Sequence, residues 1–266
     1  MILRYCRLPA AGVIGSYNDN RFILDSDHRD HPNYRQYGKL VKLGRNGKPT
    51  MPDKLRMLSP EAAADFMPIA GGVVVSDMTR SAQSSLDASN TPGRQARAPS
   101  TSGHNYAEAL DAAVLATLEL LGFTTGSKEN KKSKLDAFME AHNFYCHRRD
   151  HEDDKEWWHY NHLPPQFRDA DGGISPKARS TDGYLQAMLR KKYDMTLTDA
   201  ELQGALNQLG YPVGEEDGIW GRRCRAGASA FQRNWSLPIT GQADEATERL
   251  AAFLTATIEW SDWPVA

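Results

Sequence analysis

Residues 102–111, SGHNYAEALD, place a histidine and an aspartate seven positions apart, His104 and Asp111. On a continuous strand the two side chains would be roughly 23 Å apart and on opposite faces. On a continuous helix they would share a face but lie roughly 10 Å apart along the axis. Because metal ligands lie about 2 Å from their ion, the two residues could share an ion only if the chain bends between them. GHNY offers a place for that bend, and we predict a strand over 107–113, although a helix throughout is also compatible with the pattern.

A second stretch, EWWHYNH at 156–162, offers further candidates for such a site. Taken alone, EWWH is more typical of a partly buried aromatic cluster with a polar rim. When His159 is added to His104 and Asp111, the set becomes two imidazoles and one carboxylate. Three such ligands leave the fourth position of a zinc ion open, which is typical of catalytic rather than structural zinc sites. Glu156 would then be a nearby base that transfers a proton, not a ligand.

Together the two stretches resemble the motifs of a known enzyme family. SGHNYAEALD resembles the SxHxxGxAxD motif, and EWWH the ExxH motif, of the zinc D-Ala-D-Ala carboxypeptidase and dipeptidase family, the M15-type peptidases. That family also contains phage L-alanyl-D-glutamate endopeptidases. The resemblance covers roughly residues 65–165 and implies one Zn²⁺ per chain. It assigns the zinc ligands to His104, Asp111 and His159, the catalytic base to Glu156, and motif matches to Ser102 and Ala109.

The resemblance also suggests which residues contact the substrate. DMTRSAQSS at 77–85 is similar to the family's YRS segment, so Arg80 would bind substrate and stabilise the developing oxyanion. Ser102 is a further candidate for substrate binding, and His162, apart from the resemblance, could either hydrogen-bond to a metal ligand or help to bind substrate. Two positions depart from the family pattern, because the motif glycine is Ala107 and the residue before the arginine is Thr79 rather than an aromatic residue. These departures bear on backbone packing and subsite specificity more than on the metal ligands.

The C-terminal part of the chain carries a second resemblance. Residues 199–250 contain LQGALNQLGY, DGIWG, AFQRNWSLPITG and ATERL, and they closely resemble the peptidoglycan-binding domain that accompanies many cell-wall hydrolases. Leu202, Leu206 and Leu209 form one apolar helix face that Gly210 ends. A glycan is usually bound by an aromatic face and hydrogen-bonding groups. The candidate contacts, which we expect to be exposed, are Tyr211, Asp217, Trp220 and Gln232.

The residues between the two regions have the composition of a linker. FRDADGGISPKARSTDG at 167–183 combines adjacent glycines, a proline and charges. We predict a zinc peptidase domain over 1–168, a linker over 169–182 and a peptidoglycan-binding domain over 183–266, with its core at 199–254. The resemblances imply an α+β fold for the first domain, a small antiparallel sheet with helices of the Hedgehog and DD-peptidase type. They imply a small three-helix fold for the second domain.

Local patterns elsewhere give predictions for five further segments. PEAAADFMP at 60–68 indicates a short helix, and GGVVVSD at 71–77 indicates a buried strand. Residues 81–103 are rich in Ser, Asn, Pro and Gly and predict a long loop. SKLDAFMEAHNF at 133–144 predicts an amphipathic helix. The basic run KENKKSK at 128–134 is interpreted as a solvated loop.

Composition limits the class of partner. The chain has 266 residues, a formal net charge of −2, 40% hydrophobic and 25% charged residues, and three widely separated cysteines. This balance is ordinary for a soluble globular protein and offers no basic bias toward nucleic acid. No run of about 18 apolar residues predicts membrane insertion, and MILRYCRLPAAG does not have the pattern of a secretory signal. We expect a monomer with reduced thiols whose partner is bacterial peptidoglycan.

These features predict a phage-type endolysin, a zinc peptidase that hydrolyses peptide bonds of peptidoglycan stem peptides. It would accumulate in the host cytoplasm and then act in the periplasm or cell wall. The alternatives are a bacterial D-Ala-D-Ala carboxypeptidase of wall remodelling, a non-catalytic peptidoglycan-binding protein, and a lysozyme-type glycosidase with two carboxylates and no metal. The sequence leaves open whether the D-Ala-D-Ala, the L-Ala-D-Glu or the cross-bridge bond is cleaved.

Overall fold

The structure describes most of the chain. The computed structural model describes residues 1–8, 42–43, 49–50, 56–79, 82–90, 98–146, 157–167, 188–189, 191–193 and 195–262. The strands are β1 (Ile2–Leu8), β2 (Lys42–Leu43), β3 (Pro49–Thr50), β4 (Arg56–Leu58), β5 (Val75–Asp77), β6 (Ala109–Ala112), β7 (Phe144–Cys146), β8 (His159–His162) and β9 (Thr257–Asp262). The α-helices are α1 (Pro60–Phe66), α2 (Ala82–Ser89), α3 (Val114–Leu120), α4 (Lys128–Glu140), α5 (Asp199–Gln208), α6 (Arg222–Asn234) and α7 (Glu245–Leu254).

A four-stranded antiparallel sheet with the order β5-β6-β8-β7 organises the middle of the chain. Side chains alternate between the faces of a strand, so Leu110 and Tyr160, paired across β6 and β8, lie on one face. Both are fully buried in an apolar cluster with Phe66 of α1 and with Leu135 and Met139 of α4. Full burial of a side chain of this size is worth roughly 1.5–3 kcal/mol. Polar side chains of β6 and β8 can therefore lie on the opposite face of the sheet.

Several predicted elements are present with shifted boundaries. The strand predicted over 107–113 is confirmed as Ala109–Ala112 and is followed by a helix rather than being part of one. The helix predicted over 60–68 is confirmed as Pro60–Phe66, with the Ser59 hydroxyl accepting from the Ala62 amide at its start. The strand predicted over 71–77 is limited to Val75–Asp77, because the preceding glycines belong to a 3₁₀ helix, Met67–Gly72.

Two predicted loops are wrong. Residues 82–89 form α2 within the segment predicted to be a loop, and Ala82 and Leu86, one helical turn apart, are buried. The basic run 128–134 is the start of α4, where the Ser127 side chain caps the Asn130 amide. Lys132 pairs there with buried Asp136, and the Tyr160 hydroxyl donates to Asp136 over 2.9 Å. A run of charged residues can therefore form a helix, because a long side chain such as lysine can lie along the helix surface while its charged head group reaches a polar partner.

A second sheet joins the two ends of the chain. Its order is β4-β1-β9, with β1 antiparallel to β4 and parallel to β9. The register places Ile2 beside Thr257 and Tyr5 beside Trp260. Because β9 follows directly after α7, the C-terminal region packs against the N-terminal region through main-chain hydrogen bonds. The predicted linker 169–182 lies outside the described residues, so the boundary between the two domains stays a prediction.

The C-terminal region is built from the three helices α5, α6 and α7. A capping box of Thr198 and Glu201 begins α5, and Leu202 and Leu206 are fully buried on its inner face. Gly210, with φ of 84°, follows α5 in the left-handed region that favours glycine. The predicted apolar face of this helix is confirmed. No helix within the described ranges combines the length and the apolarity needed to cross a membrane.

Candidate metal centre

The chain bends sharply between His104 and Asp111. Gly103–Tyr106 form one turn of 3₁₀ helix, and Ala107 follows with φ of 58° and ψ of 31°, in the left-handed region. The Glu108 amide donates to the Gly103 carbonyl over 2.9 Å and closes the turn before β6 begins. This bend, which GHNY predicted, brings the His104 ring back over β6. It also gives a reason why glycine suits the motif position that Ala107 holds here.

Cross-strand register brings in the third side chain. Asp111 on β6 lies directly opposite His159 on β8, where facing side chains on the same side of a sheet are close. The His104 Nε2 atom is 3.0 Å from Asp111 Oδ1 and 3.0 Å from His159 Nδ1, and the last two atoms are 2.8 Å apart. All three side chains are buried. The structure thus brings together the three predicted ligands in a group that could hold a metal ion.

The outer hydrogen-bond partners of the two rings are compatible with a cation between their inner nitrogens. His104 Nδ1 contacts the Met78 carbonyl oxygen, and His159 Nε2 lies 3.2 Å from the Asn161 side-chain oxygen. Carbonyl oxygens only accept, so in each neutral ring the proton is on that outer nitrogen and the inner nitrogen presents a lone pair. Two lone pairs and a carboxylate then face one another, an arrangement that a metal ion stabilises. Atoms bound to a tetrahedral zinc ion lie about 3.3 Å apart, close to the distances found.

Electrostatics keeps the carboxylate ionised. Burial raises the pKa of Asp111, but in the absence of a cation the charges and hydrogen bonds that His104 and His159 provide when protonated outweigh burial and hold this pKa well below its usual range. The site therefore supplies one negative charge at neutral pH. A divalent ion placed there would meet two neutral nitrogens and one anionic oxygen, the ligand types that zinc binds in its catalytic sites.

Gly103 leaves space for the outer partner of His159. A Cβ atom at position 103 would lie 2.5 Å from Asn161 Oδ1, so any larger residue would push away the oxygen that accepts from His159. Asn161 is two residues after His159 on the same face of β8 and is buried. Sequence reasoning missed this residue, although alternation along HYNH places positions 159 and 161 on one face.

We expect Asn161→Ala to weaken zinc binding about tenfold, because partners of the outer ring nitrogen fix the orientation of a ligating histidine. Isothermal titration calorimetry with Zn²⁺ measures the change. Asn207→Ala is a suitable control, because the Asn207 side chain likewise makes hydrogen bonds, to the Gly214 carbonyl and the Val213 amide, but lies far along the chain from the metal ligands. Wild-type affinity in Asn161→Ala would show that Asn161 does not orient His159.

The other residues predicted for the catalytic site have varied positions. Arg80 and Glu156 lie outside the described residues, so their roles stay predictions. Ser102 is buried, and its hydroxyl accepts from the His104 amide over 3.3 Å, which stabilises the turn. His162 is fully buried on the face of β8 opposite to His159, between Glu108 Oε2 at 2.9 Å and Asp65 Oδ2 at 2.8 Å. Its position supports a structural role and gives no support to substrate binding.

His162 belongs to a buried polar cluster that sequence reasoning missed. Glu108 has no exposed surface and binds Tyr193 Oη at 2.6 Å and Lys192 Nζ at 2.7 Å through its Oε1 atom. Burial raises the pKa of Glu108, but His162 and Lys192 outweigh it and lower the pKa to about 2. Burial lowers the pKa of His162, whereas Asp65 and Glu108 raise it, with a net increase. The sequence did offer a sign of this cluster, because Glu108 is a charged residue within the apolar run YAEAL and a buried charge requires polar partners.

Two of the four candidates for ligand contact in the C-terminal region are not exposed. Gln232 is fully buried, and its amide nitrogen donates to Thr240 and Thr247 while its oxygen accepts from the Thr240 and Gly241 amides. Tyr211 is buried against the Phe231 ring. The prediction that these two are exposed is therefore wrong, because both hold the helices together. Asp217 is exposed, and Trp220 is partly exposed with its indole nitrogen donating to the Gly241 carbonyl.

The fold and the site define a mixed α+β protein with a buried His-Asp-His group that could hold a metal ion. Residues 199–250 match the family described as "Putative peptidoglycan binding domain". This match supports the predicted binding domain, indicates a protein associated with the cell wall, and supports binding to peptidoglycan. No curated protein and no solved structure matches the chain.

Proposed function

We propose that this protein is a zinc-dependent peptidase that hydrolyses peptide bonds in peptidoglycan stem peptides. The observation that carries the proposal is the convergence of His104 Nε2, His159 Nδ1 and Asp111 Oδ1, within 3.0 Å of one another. The two histidines and one carboxylate suit zinc and leave a coordination position for a substrate or water. The match at 199–250 supports peptidoglycan as the material on which the site acts.

The C-terminal region would hold the enzyme at its insoluble substrate. Binding to the wall raises the local concentration of stem peptides around the site without any further contact in the site itself. This division of roles explains why one chain carries both a metal-binding group and a region that matches wall-binding domains.

The chain's own residues would bind and orient the cation. His104, Asp111 and His159 would hold it, with the Met78 carbonyl and the Asn161 side chain keeping each ring nitrogen in the ligating form. When bound, a zinc ion supplies Lewis acidity that polarises a peptide carbonyl and makes water a stronger nucleophile near neutral pH. Glu156 would accept a proton and later donate it to the leaving amine. Arg80 would bind the substrate and stabilise negative charge on its carbonyl oxygen.

Within this class we propose a phage-type endolysin rather than a bacterial carboxypeptidase. The peptidase family that residues 65–165 resemble contains phage endopeptidases, and the domain that residues 199–250 match accompanies many cell-wall hydrolases. Such an enzyme would accumulate in the host cytoplasm as a monomer and reach the periplasm and cell wall at lysis.

Removal of the metal tests the proposal. We expect EDTA followed by gel filtration to reduce hydrolysis of purified peptidoglycan on the order of a thousandfold, and stoichiometric Zn²⁺ to restore it. The measurement is the release of free amino groups, with mass spectrometry of the products to identify the bond. New amino groups on D-Glu, on diaminopimelate or on released D-Ala would identify three different bonds.

The outcomes separate the alternatives. Full lysis by metal-stripped protein would contradict the proposal, and new reducing sugar ends without new amino groups would indicate a glycosidase. A protein that sediments with peptidoglycan but releases no product in the presence of Zn²⁺ would be a binding protein.

A further inference from the structure

The turn between the metal ligands is packed against the C-terminal half of the chain. The Tyr106 ring, which lies between His104 and Asp111 in sequence, stacks on Tyr193 with ring centres 5.2 Å apart. It also meets the Phe253 ring of α7 edge to face, again at 5.2 Å. Tyr106 is fully buried, and its hydroxyl lies 3.3 Å from Met195 Sδ.

The next part of the turn is held through its polar groups. The Glu108 carboxylate, just before β6, accepts from the Tyr193 hydroxyl and binds Lys192. The Asn105 carbonyl accepts from the Tyr5 hydroxyl over 2.9 Å, and Tyr5 is on β1, which pairs with β9 after α7. Each of these contacts comes from residues 192–195, from α7, or from the strand next to β9.

The conformation of the turn requires such support. Ala107 is in the left-handed region without being a glycine, which costs free energy and persists only where the surroundings impose it. Ala107 has no exposed surface and is in one apolar cluster with Tyr106, Tyr193 and Phe253. If the turn relaxed, His104 would move relative to Asp111, and the group of three ligands would open.

We propose that Tyr193 and Phe253 are positioning residues for the metal site, so that the C-terminal half of the chain, which contains the region that matches peptidoglycan-binding domains, forms part of its scaffold. This inference rests on the proposed function, because it assumes that His104, Asp111 and His159 bind a metal ion. It assigns to the C-terminal half a second role beside wall binding. The two halves then work as one unit, in contrast to a catalytic domain on a free tether.

Metal affinity of full-length variants tests the inference. We expect Phe253→Leu to weaken Zn²⁺ binding about tenfold, measured by competition with a chromophoric chelator, and to alter the visible absorption spectrum of the Co²⁺ form. Phe231→Leu is the matched control, because Phe231 is also a buried aromatic of the same three helices but packs on Tyr211 and Trp235. Its affinity and its Co²⁺ spectrum should equal those of the wild type.

A second substitution provides a rescue. Ala107→Gly removes the left-handed strain, so adding it to Phe253→Leu should recover most of the lost affinity. If Phe253→Leu does not fold, Tyr193→Phe replaces it in the test. This variant keeps the aromatic ring that stacks on Tyr106 and removes only the hydroxyl that binds Glu108. It too should weaken Zn²⁺ binding.

The results distinguish this inference from the proposed function. A wild-type chain that binds neither Zn²⁺ nor Co²⁺ overturns both. If the wild type binds Zn²⁺ and Phe253→Leu has the same affinity and the same Co²⁺ spectrum, the inference is overturned and the proposed function stands. The same holds for Tyr193→Phe where that variant replaces Phe253→Leu in the test. Equal losses in Phe253→Leu and Phe231→Leu also overturn it, because they would reflect general destabilisation.

Discussion

Replacing Asp111 with asparagine is expected to abolish zinc binding and to reduce peptidoglycan hydrolysis on the order of a thousandfold or more. Asp111 supplies the single negative charge of the ligand group, and its Oδ1 atom lies within 3.0 Å of both histidine nitrogens. Asparagine has the same shape, but it is neutral, and its amide nitrogen can donate to an imidazole lone pair. That hydrogen bond would occupy the position that a cation needs.

The same substitution should also affect the metal-free protein. Without a cation His104 and His159 hold the pKa of Asp111 well below its usual range, so the loss of this carboxylate should lower the free energy of unfolding near neutral pH. A ligand present at a hundred times its dissociation constant stabilises a protein by about 2.7 kcal/mol. Wild-type protein should therefore melt at a higher temperature with Zn²⁺ than with EDTA, whereas Asp111→Asn should melt at the same temperature in both.

Asp217→Asn is the matched control for Asp111→Asn. Asp217 is an exposed aspartate of the C-terminal region that binds the Gln203 side chain and the Ile219 amide. Its variant should keep the zinc-dependent rise in melting temperature. If Asp111→Asn also kept that rise, Asp111 would not be a ligand, and the proposed metal site would have to be abandoned.

The approach of His104 to Asp111 was predictable because its geometry is local. His104 and Asp111 could meet only across a bend, and the GHNY turn supplies it. The alternation of a strand then decides that Asp111 faces away from the apolar core, and the same rule applies to His159. That His159 joins them, 48 positions from Asp111, was implied by the resemblance to zinc peptidases, because spacing and periodicity alone do not show that β6 pairs with β8.

The support around this group was not predictable in the same way. Tyr106 and Phe253 meet although they are 147 positions apart, and β1 pairs with β9 across almost the whole chain. Local patterns carry no information about such contacts, since loop length and topology determine which apolar faces meet. Gln232 shows the same limitation, because a polar side chain on a helix gives no sign that loop amides will bury it.

Replacing Glu108 with glutamine is expected to destabilise the protein by about 3–5 kcal/mol near neutral pH. Glu108 is fully buried and binds His162, Lys192 and Tyr193. Glutamine keeps the shape of the side chain but removes the charge that compensates an imidazolium and an ammonium inside the protein. Removal of one member of a buried ion pair leaves the remaining charges uncompensated, which costs more than the loss of an ordinary hydrogen bond.

The loss should depend on pH with a defined sign. The pKa of Glu108 falls from 4.5 to about 2 on folding, so its contribution is present above pH 4.5 and disappears as pH falls from 4.5 toward 2. The pKa of His162 is raised from 6.5, so its contribution is present below pH 6.5 and disappears as pH rises through the raised value. The difference between wild type and Glu108→Gln should therefore be largest near pH 5–6 and smaller on both sides.

Urea unfolding at several pH values in EDTA measures this difference without interference from bound metal. Glu61→Gln is the matched control, because Glu61 also binds Lys192, at 2.6 Å, but its side chain is half exposed. An exposed pair contributes about 0–1 kcal/mol, so Glu61→Gln should lose little stability at any pH. If the two glutamine variants were equally stable, the Glu108 carboxylate would not be the charge that holds this cluster together, and a hydrogen-bonded amide would serve the fold as well.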